Sequence, residues 1–193
     1  LAAAAAYVAD RREAFEAAAG RAFEVNPTFG DAYRVAAAAA AAHYRFDEAV
    51  ALGQRAVALE PDNVRAHADL GMHLLRAGDE PGARAALDRA FEADSYDLVT
   101  YNLLQLLDTL DTFVSIPAGS AVIRLHPAEA PVLRHDTVAI VERALAEFSV
   151  RYGFEPRGPV LVEVFARHDD FAVRTQGLPG LVGALGACFG RVV

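Results

Sequence analysis

The stretch LGMHLLRAGDEPGARAALDRAFEAD, Leu70 to Asp94, decides the fold of the first half of the chain. It contains a segment in which apolar residues recur at helical spacing, then a short turn at Ala77 to Asp79, and then a second segment that is rich in alanine. Alanine is the best helix former, so both segments form helices at low cost. The stretch therefore predicts two helices joined by a tight turn.

The same pattern recurs at a step of 34 residues. The positions that keep the step are Pro27, Pro61 and Ser95; Ala22, Ala56 and Ala90; and Tyr33, His67 and Tyr101. Small residues at fixed offsets let two helices approach closely, while larger residues fill the gaps between neighbouring pairs. We predict stacked helix pairs; an alanine-rich bundle without a true repeat is the alternative. The side chains predicted to be buried between the pairs are Tyr33, Leu70, Leu74, Leu87, Tyr101 and Leu104.

The Leu70 to Asp94 stretch resembles the tetratricopeptide repeat (TPR) family. The resemblance covers residues 1–112, although Ala36-Ala37 stands where the family prefers Leu-Gly. Its parts are two nearly whole repeats at 30–63 and 64–97, the second helix of an earlier repeat at 10–25, and a closing helix at 98–112. The resemblance implies an all-α solenoid of TPR helix pairs that serves as a scaffold for a protein or peptide ligand.

TPR ligands are expected on the concave face formed by the first helix of each pair. Helical phase places six residues on that face: Asp31, Arg34, Arg65, Met72, Arg76 and Asn102. For any one of them taken alone, ordinary solvated surface is the favoured interpretation. The set mixes arginine with aspartate, so it specifies neither an acidic nor a basic peptide.

Composition excludes several classes of protein. The 54% hydrophobic and 23% charged fractions are typical of a globular protein. The net charge of −8 has the wrong sign for binding nucleic acid. No window holds the roughly 18 apolar residues of a membrane span, so we predict none. The single cysteine, Cys188, excludes an internal disulfide.

Residues 113–193 have a different pattern, that of an incomplete α+β domain. FVSIPAGSAVIRLHP, from Phe113, alternates over short distances and predicts one or two strands around a turn. A helix is predicted over 130–152, packed through Leu133, Ile140 and Phe148. The remaining predicted elements are a strand at 159–166, a short helix in HDDFAVRT, and a glycine-rich loop leading into a strand at 183–193.

No constellation in the chain carries catalytic chemistry, so we predict no catalytic residue and no metal ligand. The six histidines form neither an HExxH motif nor a helical pair at i, i+4. His168 beside Asp169 and Asp170 suggests a metal ligand or a general base, or a helix start capped by aspartate, which we favour. Cys188 lacks a basic neighbour, which favours a buried strand cysteine over a nucleophile.

The phrases IRLHPAEAPVL, RYGFEP, VLVEVFARHDDFAVRT and GLPGLVGALGACFGRVV resemble the segment that precedes the zinc helix in gluzincin (peptidase-MA-like) metallopeptidases. The resemblance covers residues 116–193 and rests on the order of elements. It implies that an edge strand holds the substrate backbone and that the next helix carries HExxH. The implied edge-strand residues are Gly183, Leu185, Gly186 and Ala187.

The chain begins at Leu1 inside a helical pattern and stops at Val193 inside an apolar stretch, so we expect it to be part of a longer protein. On the gluzincin resemblance, zinc and its ligands belong to the parent protein beyond Val193. This fragment itself should hold no cofactor and should be inactive. The alternative is a non-enzymatic TPR binding module with a structural α+β extension.

Overall fold

The structure is a computed structural model that describes residues 2–156 and 158–193. These residues form two compact units, one reaching to Tyr101 and the other starting at Asn102. The division falls inside the last helix of the repeats, whereas the repeat period places the boundary after Thr112. The two boundaries differ because Leu106, Leu110 and Phe113 form an apolar cluster with residues of the second unit.

Six helices make up the first unit, and a seventh crosses the division. They are α1 (Ala2–Val8), α2 (Arg12–Val25), α3 (Asp31–Ala42), α4 (Phe46–Leu59), α5 (Val64–Ala77), α6 (Glu80–Ala93) and α7 (Leu98–Leu110). Helices α1 and α2, α3 and α4, and α5 and α6 pack as pairs, and α4 also packs on α5. The helix pairs predicted from the 34-residue period are confirmed. None of the described helices is both long and apolar enough to cross a membrane.

The third pair, α5 and α6, shows why these residues form helices of fixed length. Helix α5 starts where the Asn63 side chain accepts a hydrogen bond from the Ala66 amide, and it ends at Gly78 with φ of 80°. Glycine adopts that left-handed conformation without the steric cost that a Cβ would add. Helix α6 starts in the same way, with the Asp79 side chain accepting from the Gly82 amide. The turn between the helices is thus set by its own residues.

Small residues fill the contacts between helices, as predicted. Ala49, Ala56, Ala83 and Ala90 are buried with almost no exposed surface. The burial predicted for larger side chains is confirmed for five of them: Tyr33, Leu70, Leu74, Leu87 and Leu104. The prediction is wrong for Tyr101, which is exposed and contacts the ring of Phe91. Tyr101 occupies the same position of the 34-residue repeat as Tyr33. It differs because it lies on α7, the lone closing helix.

The second unit is built on a three-stranded sheet of order β1-β2-β3. Strands β1 (Val114–Ala118) and β2 (Ala121–Leu125) are antiparallel, and β3 (Val160–Val164) runs parallel to β2. Helix α8 (Ala130–Tyr152) connects β2 to β3, and α9 (His168–Gln176) follows β3. The buried side chains of β1, β2 and the start of α8 form its core, with Leu133 and Val141 packed against it.

Of the three side chains predicted to pack α8 against the sheet, only Leu133 does so. Leu133 contacts the core, but Ile140 is 56% exposed and Phe148 is 50% exposed. Each strand has five residues and spans about 17 Å. The 23 residues of α8 span about 34 Å, so its second half extends past the sheet.

The predicted strand at 183–193 is wrong for most of its length. Only its last residues pair with the sheet, through a parallel bridge between Leu161 and Val192. Gly183 and Gly190 have φ of 86° and 61°, which is incompatible with extended backbone. Cys188 is exposed in this loop, so the prediction of a buried strand cysteine is also wrong.

Candidate functional site

The residues predicted for the concave face lie in two separate places. Asp31 and Arg34 are on α3, and Arg65, Met72 and Arg76 are on α5. Arg65 is exposed and the others are partly buried. Asn102 belongs to the second unit, where its side chain donates a hydrogen bond of 3.1 Å to the Gly177 carbonyl. The structure therefore groups five of the six predicted residues in the first unit.

Arg34 is held by two aspartates. Its Nε donates to Asp31 Oδ1 at 2.6 Å, and its Nη1 donates to Asp69 Oδ2 at 2.9 Å. The hydrogen bond from Arg34 lowers the pKa of Asp31, and Arg65 adds to the effect from nearby. The bond to Asp31 likewise raises the pKa of Arg34. Three charged side chains that a ligand could have used thus bind each other across α3 and α5.

Sequence reasoning missed Asp69 and the second set of contacts around Asp31. The Asn63 side chain donates to Asp31 at 3.2 Å and to Glu60 at 2.9 Å. Glu60 also accepts from the Gly30 amide at 3.1 Å. The pairs Gly30–Glu60, Asp31–Asn63 and Arg34–Asp69 are 30 to 35 residues apart, close to one repeat length, so the 34-residue period was a usable signal for them.

His73 is buried on α5, and neither of its ring nitrogens has a hydrogen-bond partner among the described residues. Burial lowers the pKa of His73 to about 4, with Asp69 opposing and Arg76 adding to the shift. The imidazole is therefore neutral at neutral pH. A buried neutral histidine is part of the core here and is not a candidate acid or base.

A pocket of about 350 Å³ near the start of the chain was not predicted from the sequence. Its wall includes Tyr7, whose hydroxyl donates to Glu48, and Arg45, which stacks 4.7 Å from the Tyr7 ring centroid. Arg45 also pairs with Asp10 at 3.1 Å. Burial and the Glu48 contact raise the pKa of Tyr7 to about 12. These contacts join α1 to α4, and the opposite charges in the wall offset each other.

In the second unit, a groove of about 460 Å³ lies between β3, α9 and residues 184–193. Its wall contains the buried pair Glu163 and Arg174, joined by a hydrogen bond of 2.7 Å from Nε to Oε2. Arg124 Nη1 is 3.5 Å from the other oxygen of Glu163, and its Nη2 donates to the Leu110 carbonyl. One buried carboxylate is therefore shared by two guanidinium groups.

Three of the four residues predicted as a substrate-edge strand line this groove. Leu185, Gly186 and Ala187 are in its wall, but Gly183 is not. The three reach the groove from a loop, because this segment forms no strand. The part of the chain that does pair with β3 is 191–193, which begins four residues after Ala187.

His168 and Cys188 do not form a reactive site. His168 Nε2 lies 3.1 Å from the Ala184 carbonyl, and Cys188 Sγ lies 3.5 Å from the Gly190 carbonyl. The short helix predicted in HDDFAVRT is confirmed as α9. The prediction that aspartate caps it is wrong, because the residue at the N-cap is Arg167, which makes no side-chain capping bond, and Asp169 and Asp170 lie inside the first turn. Within residues 2–156 and 158–193, no three His, Cys, Asp or Glu side chains are grouped to hold a metal ion.

Comparison with known proteins identifies the class of the helical repeats. The tetratricopeptide repeat family matches residues 40–101, which confirms the TPR repeats predicted there. No curated protein matches the chain. Among solved structures, the chain is similar to a mutant of the O-GlcNAc transferase of Thermobaculum terrenum, with 22% identity and a TM-score of 0.43. That match covers 56% of this chain and only 22% of the transferase chain, and its TM-score is too low to assign a fold.

Proposed function

We propose that the TPR helix pairs form a protein-interaction scaffold and that the first-helix face of α3 and α5 receives the ligand. The observation that carries the proposal is the TPR match at residues 40–101 on helices that pack in pairs. Stacked repeats expose a continuous face that no single helix pair provides. On that face Arg65 is exposed and Met72 is partly exposed. The aliphatic part of the Arg65 side chain and the thioether of Met72 are therefore available to contact a ligand.

Site-specific photocrosslinking tests which face is used. A photoreactive amino acid replaces Arg65 on α5 in one variant and Arg89 on α6 in a matched control. Both arginines have exposed side chains, but only Arg65 is on a first helix. We expect crosslinked protein adducts in cells at position 65 and not at position 89. Equal adducts at the two positions would rule out the first-helix face as the docking surface.

We further propose that residues 113–193 are the N-terminal portion of a zinc metallopeptidase-like domain. Support comes from the resemblance of VLVEVFARHDDFAVRT and its neighbours to gluzincins, and from the element order β1, β2, α8, β3, α9. The described residues contain no group of three metal ligands, and no catalytic step is assigned to them. The role proposed for this portion is to shape the substrate side of the domain.

The decisive measurement for this proposal is the DNA sequence downstream of the Val193 codon in the parent gene. We expect His-Glu-x-x-His in the next predicted helix, because two histidines one turn apart with an intervening glutamate bind zinc and activate water. A following helix without that motif would favour the alternative, a non-enzymatic binding module with a structural α+β extension. The scaffold proposal would stand in either case.

A further inference from the structure

Tyr101 repeats an aromatic arrangement that occurs two repeat lengths earlier in the chain. There the ring centroids of Phe23 and Tyr33 are 5.5 Å apart, with 34° between the ring planes. The ring centroids of Phe91 and Tyr101 are 6.3 Å apart, with 35° between the planes. Tyr33 and Tyr101 therefore occupy equivalent positions with the same aromatic neighbour.

The two tyrosines differ in what else covers the ring. The Arg55 guanidinium lies 3.9 Å from the Tyr33 ring centroid and donates a hydrogen bond to the Tyr33 hydroxyl. With Arg55 and the ring of Phe15 against it, Tyr33 is only 5% exposed. Among the residues that the structure describes, no guanidinium lies over the Tyr101 ring, and Tyr101 is 46% exposed.

The difference at Tyr101 is explained by the sequence. Arginine recurs at Arg21, Arg55 and Arg89, at the 34-residue step of the repeat. One step further the residue is Ile123, which lies on β2 and is fully buried. The repeat position that supplies an arginine to Tyr33 therefore supplies none to Tyr101.

We infer that the Tyr101 ring binds an arginine side chain of a partner protein, which stacks on it as Arg55 stacks on Tyr33. A planar guanidinium stacks on an aromatic face and keeps its positive charge there. This site lies on the first turn of α7 and is separate from the face of α3 and α5. It therefore adds to the proposed scaffold a second contact, which is tested independently.

The surroundings of the ring favour an arginine flanked by apolar residues. Leu98 lies one helical turn before Tyr101, and Tyr96 lies in the turn that precedes α7. Both side chains are largely exposed, so apolar surface is available beside the ring.

The charge around the ring pair complements a cation. The segment 88–97 carries four carboxylates and a single arginine, Arg89, which lies 3.7 Å from Glu92. Phe91 belongs to this segment, and Tyr101 follows its last carboxylate, Asp97, by one helical turn. The net negative charge attracts an arginine and repels a carboxylate or a phosphate.

Nuclear magnetic resonance with two defined probes tests the inference on the 193-residue chain, with its tyrosine rings labelled with ¹³C. The first probe is a short peptide with blocked ends, in which a central arginine is flanked by leucines. In the second probe citrulline replaces the arginine, which keeps the planar group and removes the charge. We expect the Tyr101 ring signals to shift saturably with the first probe, and the second probe to bind at least about threefold more weakly.

Three matched variants locate the binding, with the signals of the arginine in the first probe as the readout. Stacking on a ring moves these signals upfield through the ring current. Tyr101→Leu removes the ring and should abolish the shift, whereas Tyr101→Phe keeps the ring and should retain most of it. Tyr152→Leu should leave the shift unchanged, because it alters an exposed tyrosine of α8 that likewise contacts a phenylalanine, Phe148.

Four results would overturn the inference. They are the lack of a saturable Tyr101 shift at millimolar concentrations of the first probe, equal binding of the two probes, and equal effects of Tyr101→Leu and Tyr152→Leu. The fourth is self-association of the chain that Tyr101→Leu abolishes, since a second copy would then cover the ring. None of these results bears on the crosslinking test at position 65, so the scaffold proposal is judged separately.

Discussion

At the residue scale, the charges of the TPR face are largely engaged with each other. Arg34 lies between Asp31 and Asp69, at 2.6 and 2.9 Å. All three side chains are partly exposed, so solvent screens the pairs and each stabilises the fold by no more than about 1 kcal/mol. A ligand on the proposed face would have to compete with these pairs.

His73 gives the first prediction. Its pKa is lowered from 6.5 to about 4 by burial, so between these values the unfolded chain binds the proton more strongly. Stability contributed by neutral His73 is complete above about pH 6.5 and is lost as the pH falls toward 4. Each pKa unit corresponds to about 1.4 kcal/mol, so we expect a loss of up to about 3 kcal/mol. Urea unfolding between pH 7 and pH 4 measures it.

His73→Leu should remove this part of the pH dependence, because leucine cannot take up a proton. His43→Gln is the control, since His43 is exposed at the end of α3. If the wild-type chain and His73→Leu lost the same stability between pH 7 and pH 4, burial of His73 would not be the cause.

At the scale of elements, Gly71 sets how closely α5 approaches α6. A Cβ at this position would lie 2.5 Å from Leu87 Cγ and 3.3 Å from the Ala83 carbonyl. Leu87 is fully buried, so it cannot move away freely. We expect Gly71→Ala to lower the free energy of unfolding by about 1–3 kcal/mol through overpacking. Thermal or urea unfolding is the measurement.

Gly20 is the matched control for Gly71. It lies inside helix α2, and a Cβ there would meet nothing within 4 Å. Alanine restricts the unfolded chain and favours helix, so Gly20→Ala should stabilise the protein by up to about 1 kcal/mol. Equal changes in the free energy of unfolding for Gly71→Ala and Gly20→Ala would contradict the close approach of α5 and α6.

Another prediction concerns the contact between β2, β3 and α9. Glu163 is buried with Arg124 and Arg174 around it. Glu163→Gln removes the carboxylate charge and leaves two guanidinium groups without it. Breaking a buried ion pair from one side costs about 3–5 kcal/mol. Urea unfolding followed by circular dichroism should show a loss of this size.

Glu142→Gln makes the same chemical change at an exposed position of α8. Surface substitutions of this kind usually change stability by less than about 0.5 kcal/mol. A loss for Glu163→Gln as small as that for Glu142→Gln would mean that the buried carboxylate does not hold β3 to α9.

At the scale of the whole molecule, the two units offer different kinds of surface. The first unit presents helix faces built from repeats, and the second presents a groove between β3, α9 and residues 184–193. The scaffold proposal and the metallopeptidase-domain proposal therefore concern different units and are tested separately.

The last prediction is that the 193-residue chain binds no stoichiometric zinc and has no peptidase activity. The sequence has no HExxH motif, and the described residues contain no group of three metal ligands. Dialysis against buffered zinc followed by elemental analysis measures the metal content per chain. One zinc per chain, removable by a chelator, would contradict the prediction and would imply ligands among the six histidines.

The sequence by itself determined the helix pairs and most element positions. The 34-residue period is a local signal, because each repeat carries its own turn and small residues, such as Asp79 and Ala83. The alternation in 113–127 and the apolar run at 159–166 were also enough to predict β1, β2 and β3. These elements follow from neighbouring residues, so a single sequence contains the information.

Only the tertiary structure decided which predicted residues are available to a ligand. Asp31 and Arg34 lie on the predicted face, but their bonds to Asn63 and Asp69 depend on how α3 meets α5. Likewise, apolar and glycine content suggested a strand at 183–193, but the positive φ of Gly183 and Gly190 makes most of it a loop. The reason is the same in both cases: composition and phase fix the direction of a side chain, whereas its partner is fixed by elements distant in sequence.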